Sequence, residues 1–245
     1  MKLTCIGTWG AYPEAGEATT SFLLEEGDFR ILVDCGSGVL SQLQRVIAIE
    51  KLDAVVLSHY HHDHVADIGC LQFALLIQTI LGKRSQSLPI YAHAEGDNSL
   101  FSTLTHNNYT KGVRVFAQHP LPIGPWQVDF CPTLHPAYCL AMKFSHQGRS
   151  LVYTADTSWS DELVSFSKGA EILICEASLY NEQKGKVAGH MTAGEAGQLA
   201  MQAGVKRLIL THLPHYGDHP LLVQEAQEVF SGQVHLAAFL SSWEW

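Results

Sequence analysis

The sequence predicts a layered α/β fold in which helices lie outside two central sheets. Apolar runs of strand length alternate with helical segments along the whole chain, a pattern typical of mixed layers. These runs fall into two similar halves, and no repeat, low-complexity tract or linker separates them. We therefore expect residues 1–245 to form a single domain.

The first half begins with a strand over residues 2–8. A hairpin over residues 20–36 follows and turns at Glu-Glu-Gly-Asp. The pattern then predicts four further elements: a helix over residues 37–50, a buried strand over residues 52–59 with a long helix from about residue 65, a strand over residues 88–93, and a polar helical stretch near residues 96–106.

The second half contains strands over residues 113–118 and 126–135, and a hairpin within residues 139–156 that turns at Gln-Gly-Arg. A buried strand over residues 170–178 precedes a helix over residues 192–204. In that helix Thr192 is the expected N-cap, Glu195 completes a capping box and Gly204 is the stop signal. The last predicted elements are a strand over residues 205–212, a helix over residues 219–232 and a final strand over residues 234–239.

Composition and charge argue against some classes of function. A net charge of −9 disfavours strong binding to nucleic acid but allows a small anionic substrate beside a bound cation. The six scattered cysteines form no C-x-x-C pair, so we expect reduced thiols and a cytoplasmic location. The apolar run over residues 65–81 is interrupted by Asp67 and two glutamines. It therefore predicts a buried helix or a homodimer contact rather than a membrane span.

The segment SHYHHDHVAD, residues 58–67, carries the densest cluster of metal-binding side chains. His59 and His61 are two residues apart, so in an extended segment they share a face and can bind one ion. Asp63 and His64 follow in the turn into the next helix and can reach a second ion, which leaves His62 as a spacer.

Three further ligand-type residues also follow apolar strands: His135, Asp156 and His212. Loops that leave one edge of a sheet can bring such groups together while keeping a coordination position open for substrate. Imidazole and carboxylate without thiolate suit zinc, manganese or iron. We therefore expect two divalent metal ions, most simply zinc, in a catalytic site.

HYHHDH resembles the H-x-H-x-D-H signature of the metallo-β-lactamase-fold superfamily, and the later histidine, aspartate and histidine come in that superfamily's order. The resemblance implies a four-layer αβ/βα sandwich with two central mixed sheets flanked by helices. It also implies that Asp34 lies beneath the metal loop and that Asp156 bridges the two ions. The other ligands it implies are His59, His61 and His135 for one ion, and Asp63, His64 and His212 for the other.

Glu176 in CEASLY and His190 in GHMTAGEAGQLA resemble the glutamate–histidine pair of the ribonuclease Z-like phosphodiesterase branch. In that branch the histidine protonates the leaving alkoxide, which departs poorly without a proton. As alternatives, Glu176 would be a surface carboxylate and His190 a helix-entry residue. The chain departs from the branch by lacking the long basic arm that grips transfer RNA, and by Ala155 where glycine is common.

The resemblance implies a metal-dependent hydrolase, a phosphodiesterase that acts on a small phosphodiester or nucleotide-type substrate through a metal-bridging hydroxide. Asp63 would orient that hydroxide. A thioesterase or lactonase like glyoxalase II, a ribonuclease acting on RNA 3′ ends, and a structural or sensory metal site remain alternatives. His215, Tyr216 and the loop from Trp9 to Tyr12 either contact substrate or form ordinary surface and rim packing.

Overall fold

The computed structural model describes residues 1–96, 99–117 and 119–245. The chain forms two compact units, one of residues Met1–Phe116 with Ala238–Glu244 and the other of residues Ala117–Ala237 with Trp245. Each unit is built around one seven-stranded mixed sheet. That residues 1–245 form a single domain stays a prediction.

The sheet of the first unit has the order β14-β1-β2-β3-β4-β5-β6. Its strands are β1 (Lys2–Gly7), β2 (Ser21–Glu26), β3 (Phe29–Val33), β4 (Ala54–Val56), β5 (Leu88–Ala92), β6 (Thr110–Arg114) and β14 (Ser242–Glu244). The pairs from β14 to β3 are antiparallel, and those from β3 to β6 are parallel. The predicted hairpin is present, with Glu26 opposite Phe29.

The helices of the first unit are α1 (Val39–Leu43), α2 (His62–Val65), α3 (Ile68–Ile80) and α4 (Ser99–Thr103), with a 3₁₀ turn at Ile49–Lys51. Apolar residues of α1 and α3, such as Val39, Leu71 and Leu75, join the strands in one buried cluster. The predicted polar helix near residues 96–106 corresponds to α4. Residues 97 and 98 of that prediction lie outside the described residues.

The sheet of the second unit has the order β13-β12-β11-β10-β9-β8-β7. Its strands are β7 (Leu121–Ile123), β8 (Trp126–Pro132), β9 (Leu140–His146), β10 (Arg149–Tyr153), β11 (Ile172–Glu176), β12 (Arg207–Thr211) and β13 (Gln233–Leu236). Antiparallel pairing from β7 to β10 gives way to parallel pairing from β10 to β13. The two units thus repeat one pattern of antiparallel strands followed by parallel ones.

The helices of the second unit are α5 (Asp161–Ser167), α6 (Ala193–Ala203) and α7 (His219–Gln227), with a 3₁₀ turn at Asn181–Gln183. The predicted capping box of α6 is confirmed. Thr192 accepts from the amide of Glu195 at 3.2 Å, and the Glu195 carboxylate accepts from the amide of Thr192 at 3.0 Å. Gly204 ends the helix with φ 64°. α6 packs against β11, β12 and the two neighbouring helices, so its first residue has a fixed position.

Two helix predictions are wrong in extent. The helix predicted over residues 37–50 is only α1 and the later 3₁₀ turn, because the chain turns after Leu43 to pack Val46 and Ile47 against the core. These β-branched side chains also favour helix less. The long helix predicted from residue 65 is interrupted at Asp67, whose carboxylate accepts from the amide of Leu40 at 2.9 Å.

Several strand predictions also need correction. The strand predicted over residues 113–118 is β6, which begins and ends earlier, and residue 118 lies outside the described residues. The three-residue strands β7 and β14 were not predicted, since so short a run carries little pattern. The strand over residues 234–239 is therefore not the final one: β14 follows it and pairs with β1.

The outer face of α3 is apolar and exposed. Phe73, Ile77 and Ile80 are 64%, 49% and 70% exposed, and Leu81 continues the face beyond the helix. No helix in the described part of the chain is long and apolar enough to cross a membrane. The predicted homodimer contact on this helix stays a prediction.

Candidate active site

The first ligand set follows β4 and lies in the first unit. It comprises His59, His61, Asp63 and His64. The ring centroids of His59 and His61 are 4.7 Å apart, as expected for alternate residues of an extended segment. The Tyr60 side chain, between these two histidines in sequence, points away from them. Its hydroxyl donates a hydrogen bond to the carbonyl of His93 at 2.6 Å. Burial raises the pKa of Tyr60, so that hydroxyl remains a donor. His62, the predicted spacer, is exposed.

Asp63 and His64 form the second pair of this set. They lie within α2 rather than in the turn before it. Asp63 Oδ2 is 3.5 Å from His64 Nε2, a separation that two ligands of one ion can have. The amide of Ala11 donates to the same Asp63 oxygen at 2.9 Å. The loop from Trp9 to Tyr12 therefore reaches the ligand set, and its backbone holds the aspartate in orientation.

Asp34 anchors the first ligand set from below, as the resemblance implied. Its side chain is fully buried and accepts three hydrogen bonds of 2.8 Å, from the Ser58 amide, the Ser58 hydroxyl and His64 Nδ1. The backbone at Gly36 also lies very close to the backbone at Asp63. A Cβ on Gly36 would overlap the backbone carbonyl of Asp63, so only glycine lets these loops meet.

Replacing Asp34 by asparagine is expected to weaken both folding and metal binding. An amide in place of the carboxylate turns one of its two acceptor oxygens into a donor facing Ser58 or His64. We expect the metal-free protein to lose about 1–3 kcal/mol of unfolding free energy, and zinc affinity to fall about 10–100-fold. Denaturant unfolding and chelator competition measure the two effects. Asp28→Asn in the exposed hairpin turn is the control, and equal results for both variants would contradict the anchoring role.

The second ligand set lies in the second unit and comprises His135, Asp156 and His212. Asp156 Oδ2 is 3.3 Å from His212 Nε2. A ligand atom of Asp156 also lies within 4.8 Å of one on His135. One buried carboxylate is thus close to two histidines, the arrangement that a bridging ligand requires.

Strained backbone marks three positions of the candidate site. Asp34, Ala155 and His212 have φ of 58°, 51° and 55°, a left-handed conformation that L-residues adopt at a cost of about 1–2 kcal/mol each. All three follow closely on strand ends. Glycine adopts a positive φ most readily, and this gives a physical reason for the glycine common at the position of Ala155 in the family that the sequence resembles.

Four histidines of the two sets, His59, His64, His135 and His212, are oriented for metal binding through Nε2. Their Nδ1 atoms face protein groups: Ser58 Oγ at 3.0 Å from His59, Asp34 at 2.8 Å from His64, the Ala137 carbonyl at 3.1 Å from His135, and Ser178 Oγ at 2.8 Å from His212. Such hydrogen bonds fix the tautomer and ring orientation of metal-ligating histidines. The residues present therefore fit divalent metal ions, on the chemistry and orientation of their donors.

A fully buried Glu176 and a partly exposed His190 form a pair beside the second ligand set. Glu176 is fully buried at the end of β11, so the alternative of a surface carboxylate is wrong. Its Oε2 lies 3.1 Å from His190 Nδ1 and accepts from the Met191 amide at 3.2 Å, while Oε1 accepts from the Thr157 amide. A carboxylate only accepts, so His190 donates from Nδ1 and presents Nε2 outward.

The ring of His190 contacts both ligand histidines of its unit. It stacks on His212 with centroids 5.4 Å apart and meets His135 edge-on at 5.8 Å. The side chain keeps 22% exposure, which leaves access from solvent. His190 stands just before α6, so the capped helix start holds it in place, as the alternative of a helix-entry residue describes. Its role as a proton donor stays a prediction.

The sequence left the role of Tyr216 open, and this residue lies near the Glu176–His190 pair. Its hydroxyl donates toward the Ser178 carbonyl at 3.3 Å, and its side chain is half exposed. His215 is partly buried. Sequence reasoning missed the hydroxyls of Ser58 and Ser178 and the amide of Ala11. Ser178 follows Glu176 by two residues, the spacing of one strand face, so a signal was present for this serine. Ser58 directly precedes His59, a spacing that gives no such signal.

Comparison with known proteins identifies the fold family. The family model described as the beta-lactamase superfamily domain matches residues 29–213, which is more than half of the chain. The chain belongs to the beta-lactamase superfamily. Membership in this superfamily confirms the predicted αβ/βα sandwich and the prediction of a metal-dependent hydrolase.

Three similar proteins show how far the similarity of this chain extends. The chain is 49% identical over 244 residues to the probable metallo-hydrolase YhfI of Bacillus subtilis strain 168, covering 100% of both. The crystal structure of YhfI, a metallo-β-lactamase fold protein, matches with 48% identity and a TM-score of 0.97, covering 100% of this chain and 99% of that one. Ribonuclease Z of Archaeoglobus fulgidus is 27% identical over 304 positions, covering 98% of this chain and 97% of the relative. The crystal structure of a diphosphatase from the PhnP family has the same fold, with 19% identity and a TM-score of 0.78 over 100% of this chain and 97% of that one.

Proposed function

We propose that this protein is a dinuclear metal-dependent phosphodiesterase that acts on a small phosphodiester or nucleotide-type substrate. The observation that carries the proposal is the Glu176–His190 pair. A buried carboxylate accepts a hydrogen bond from Nδ1 of a partly exposed histidine whose ring contacts two ligand histidines. A proton donor of this kind is needed where the leaving group departs poorly, as an alkoxide does.

The two ligand sets together would hold two divalent cations, for which zinc is the first candidate and manganese or iron the alternatives. We assign His59, His61 and His135 to one ion, Asp63, His64 and His212 to the other, and Asp156 to both. Such cations, when bound, neutralise phosphoryl oxygens and lower the pKa of a coordinated water. The closeness of Asp156 to both His135 and His212 supports the bridging assignment.

In the proposed reaction a water that has lost one proton to the solvent forms a bond from its oxygen to phosphorus as the bond from phosphorus to the leaving oxygen breaks. His190 gives the proton on Nε2 to that leaving oxygen. Glu176 fixes the ring through Nδ1 and stabilises the positive charge that His190 carries before the transfer. Asp63, held by the amide of Ala11, is placed to accept a hydrogen bond from the attacking water.

A small substrate suits this chain better than a folded RNA. The alignment with ribonuclease Z spans 304 positions, more than the 245 residues of this chain, so that relative has segments with no counterpart here. The net charge of −9 also disfavours a long polyanion. We propose a small anionic substrate, without strong binding to nucleic acid or to a membrane, and a cytoplasmic location, which the six free cysteines support.

A substrate panel tests this proposal. The protein is freed of metal, reloaded with zinc or manganese, and assayed with bis(p-nitrophenyl) phosphate, a 2′,3′-cyclic nucleotide, a thioester and a lactone. We expect metal-dependent turnover of the two phosphodiesters. Turnover of the thioester or lactone alone would assign the site to ester hydrolysis and overturn the proposal.

A further inference from the structure

The hydroxyl of Ser178 lies at the centre of the second unit's polar groups. Its Oγ is 2.7 Å from Glu176 Oε2, 2.8 Å from His212 Nδ1, 3.2 Å from the His212 carbonyl and 3.5 Å from His190 Nδ1. The Ser178 hydroxyl thus contacts the candidate metal ligand His212 and both members of the Glu176–His190 pair.

Strand register explains this position. β11 and β12 run parallel with Glu176 opposite Thr211, and the amide of Ala177 donates to the Thr211 carbonyl at 2.9 Å. The chain continues through Ala177 to Ser178 after β11 and to His212 after β12, and Ser178 and His212 are thereby brought into contact. The Tyr216 hydroxyl lies within hydrogen-bond distance of both the Ser178 carbonyl, at 3.3 Å, and Gln183 Oε1, at 3.2 Å, and so contacts the segment from the other side.

The direction of each hydrogen bond follows from the donors available. A hydroxyl has one proton, and the short contact with a carboxylate takes it in preference to the longer contact with a neutral carbonyl. Ser178 therefore donates to Glu176 Oε2 and accepts from His212 Nδ1–H. With its proton on Nδ1, His212 has its lone pair on Nε2, the nitrogen that faces Asp156.

We propose that Ser178 is a positioning residue that joins the metal ligand His212 to the Glu176–His190 pair. The inference deepens the proposed function and rests on it for the role of His190. Glu176 then orients two histidines at once: His190 directly, and His212 through the serine hydroxyl. Its other oxygen accepts from the amide of Thr157, next to Asp156, so the same carboxylate also steadies the bridging ligand.

The test compares zinc affinity, measured by chelator competition, for three serine variants and the parent. Ser178→Ala removes the hydroxyl that orients His212, so we expect zinc to bind about 10–100-fold more weakly. Ser178→Thr keeps the hydroxyl and is expected to restore most of the affinity. Ser160→Ala is the matched control. It removes a hydroxyl that caps α5 by accepting from the Leu163 amide at 3.1 Å, so it lowers stability without touching either histidine.

A second readout concerns the contacts of Ser178 with Glu176 and His190. In fully metal-loaded protein, Ser178→Ala is expected to lower kcat for a 2′,3′-cyclic nucleotide with little change in KM, because the substrate still binds while His190 is less well held. The absorption spectrum of the cobalt-substituted protein should also change for Ser178→Ala and remain close to the parent's for Ser160→Ala.

The inference would be overturned if Ser178→Ala left the zinc affinity and the cobalt spectrum unchanged. A loss of zinc affinity of the same size in Ser160→Ala would also overturn it. If Ser178→Ala does not fold, Ser178→Cys takes its place, since a thiol keeps the size but donates and accepts weakly, and weaker zinc binding is again expected. Zinc binding needs no phosphodiester substrate, so failure of the proposed function would appear separately, as a parent protein that binds zinc and leaves phosphodiesters intact.

Discussion

Replacing His190 by alanine is expected to slow hydrolysis of a 2′,3′-cyclic nucleotide by about 10²–10⁴-fold. The variant loses the proton that the leaving alkoxide needs, while the ligand sets keep their own hydrogen bonds. Bis(p-nitrophenyl) phosphate should be affected far less, because p-nitrophenolate leaves without a proton. Steady-state kinetics on both substrates at full metal loading gives the comparison.

His146→Ala is the control for this experiment. His146 belongs to the same unit, but its Nδ1 donates to the Pro125 carbonyl at 2.8 Å, away from the Glu176–His190 pair. We expect it to hydrolyse both substrates like the parent. An equal loss on both substrates in His190→Ala, with the metal content unchanged, would refute the role of His190 as proton donor.

Replacing Asp156 by asparagine is expected to have the largest effect on metal binding. The carboxylate is 2% exposed and lies close to both His135 and His212, so a neutral amide weakens the ligands of both proposed ions at once. We expect the isolated variant to hold fewer than two equivalents of metal and to lose turnover by at least about 10³-fold, since metal-assisted water activation is lost.

Metal content by elemental analysis and turnover of a phosphodiester check this expectation. Asp161→Asn, an exposed aspartate at the start of α5, is the matched control and should keep both. An Asp156→Asn protein that retains two tightly bound ions would rule out a bridging aspartate at this position.

The sequence predicted most reliably those features whose spacing has a direct physical meaning. Alternate histidines share a strand face, and the structure places the rings of His59 and His61 together. Thr192, Glu195 and Gly204 are helix start and stop signals, and α6 begins and ends there. Ligand residues just after apolar runs lie at strand ends, as Asp156 and His212 do.

The rest depended on contacts between distant segments. The helix predicted over residues 37–50 ends early because packing of Val46 and Ile47 outweighs helical hydrogen bonding. The short strand β14 exists because β1 offers it a partner, which three residues of local sequence do not reveal. Ser178 acquires its position from the register of two strands some thirty residues apart along the chain.

One measurement tests the central claim most directly: metal-free protein is titrated with zinc while hydrolysis of a 2′,3′-cyclic nucleotide is followed. The proposed dinuclear phosphodiesterase predicts that turnover rises with added zinc and becomes constant at two equivalents per chain. A protein that binds two equivalents without hydrolysing any phosphodiester, or that reaches full activity with one, would contradict the claim.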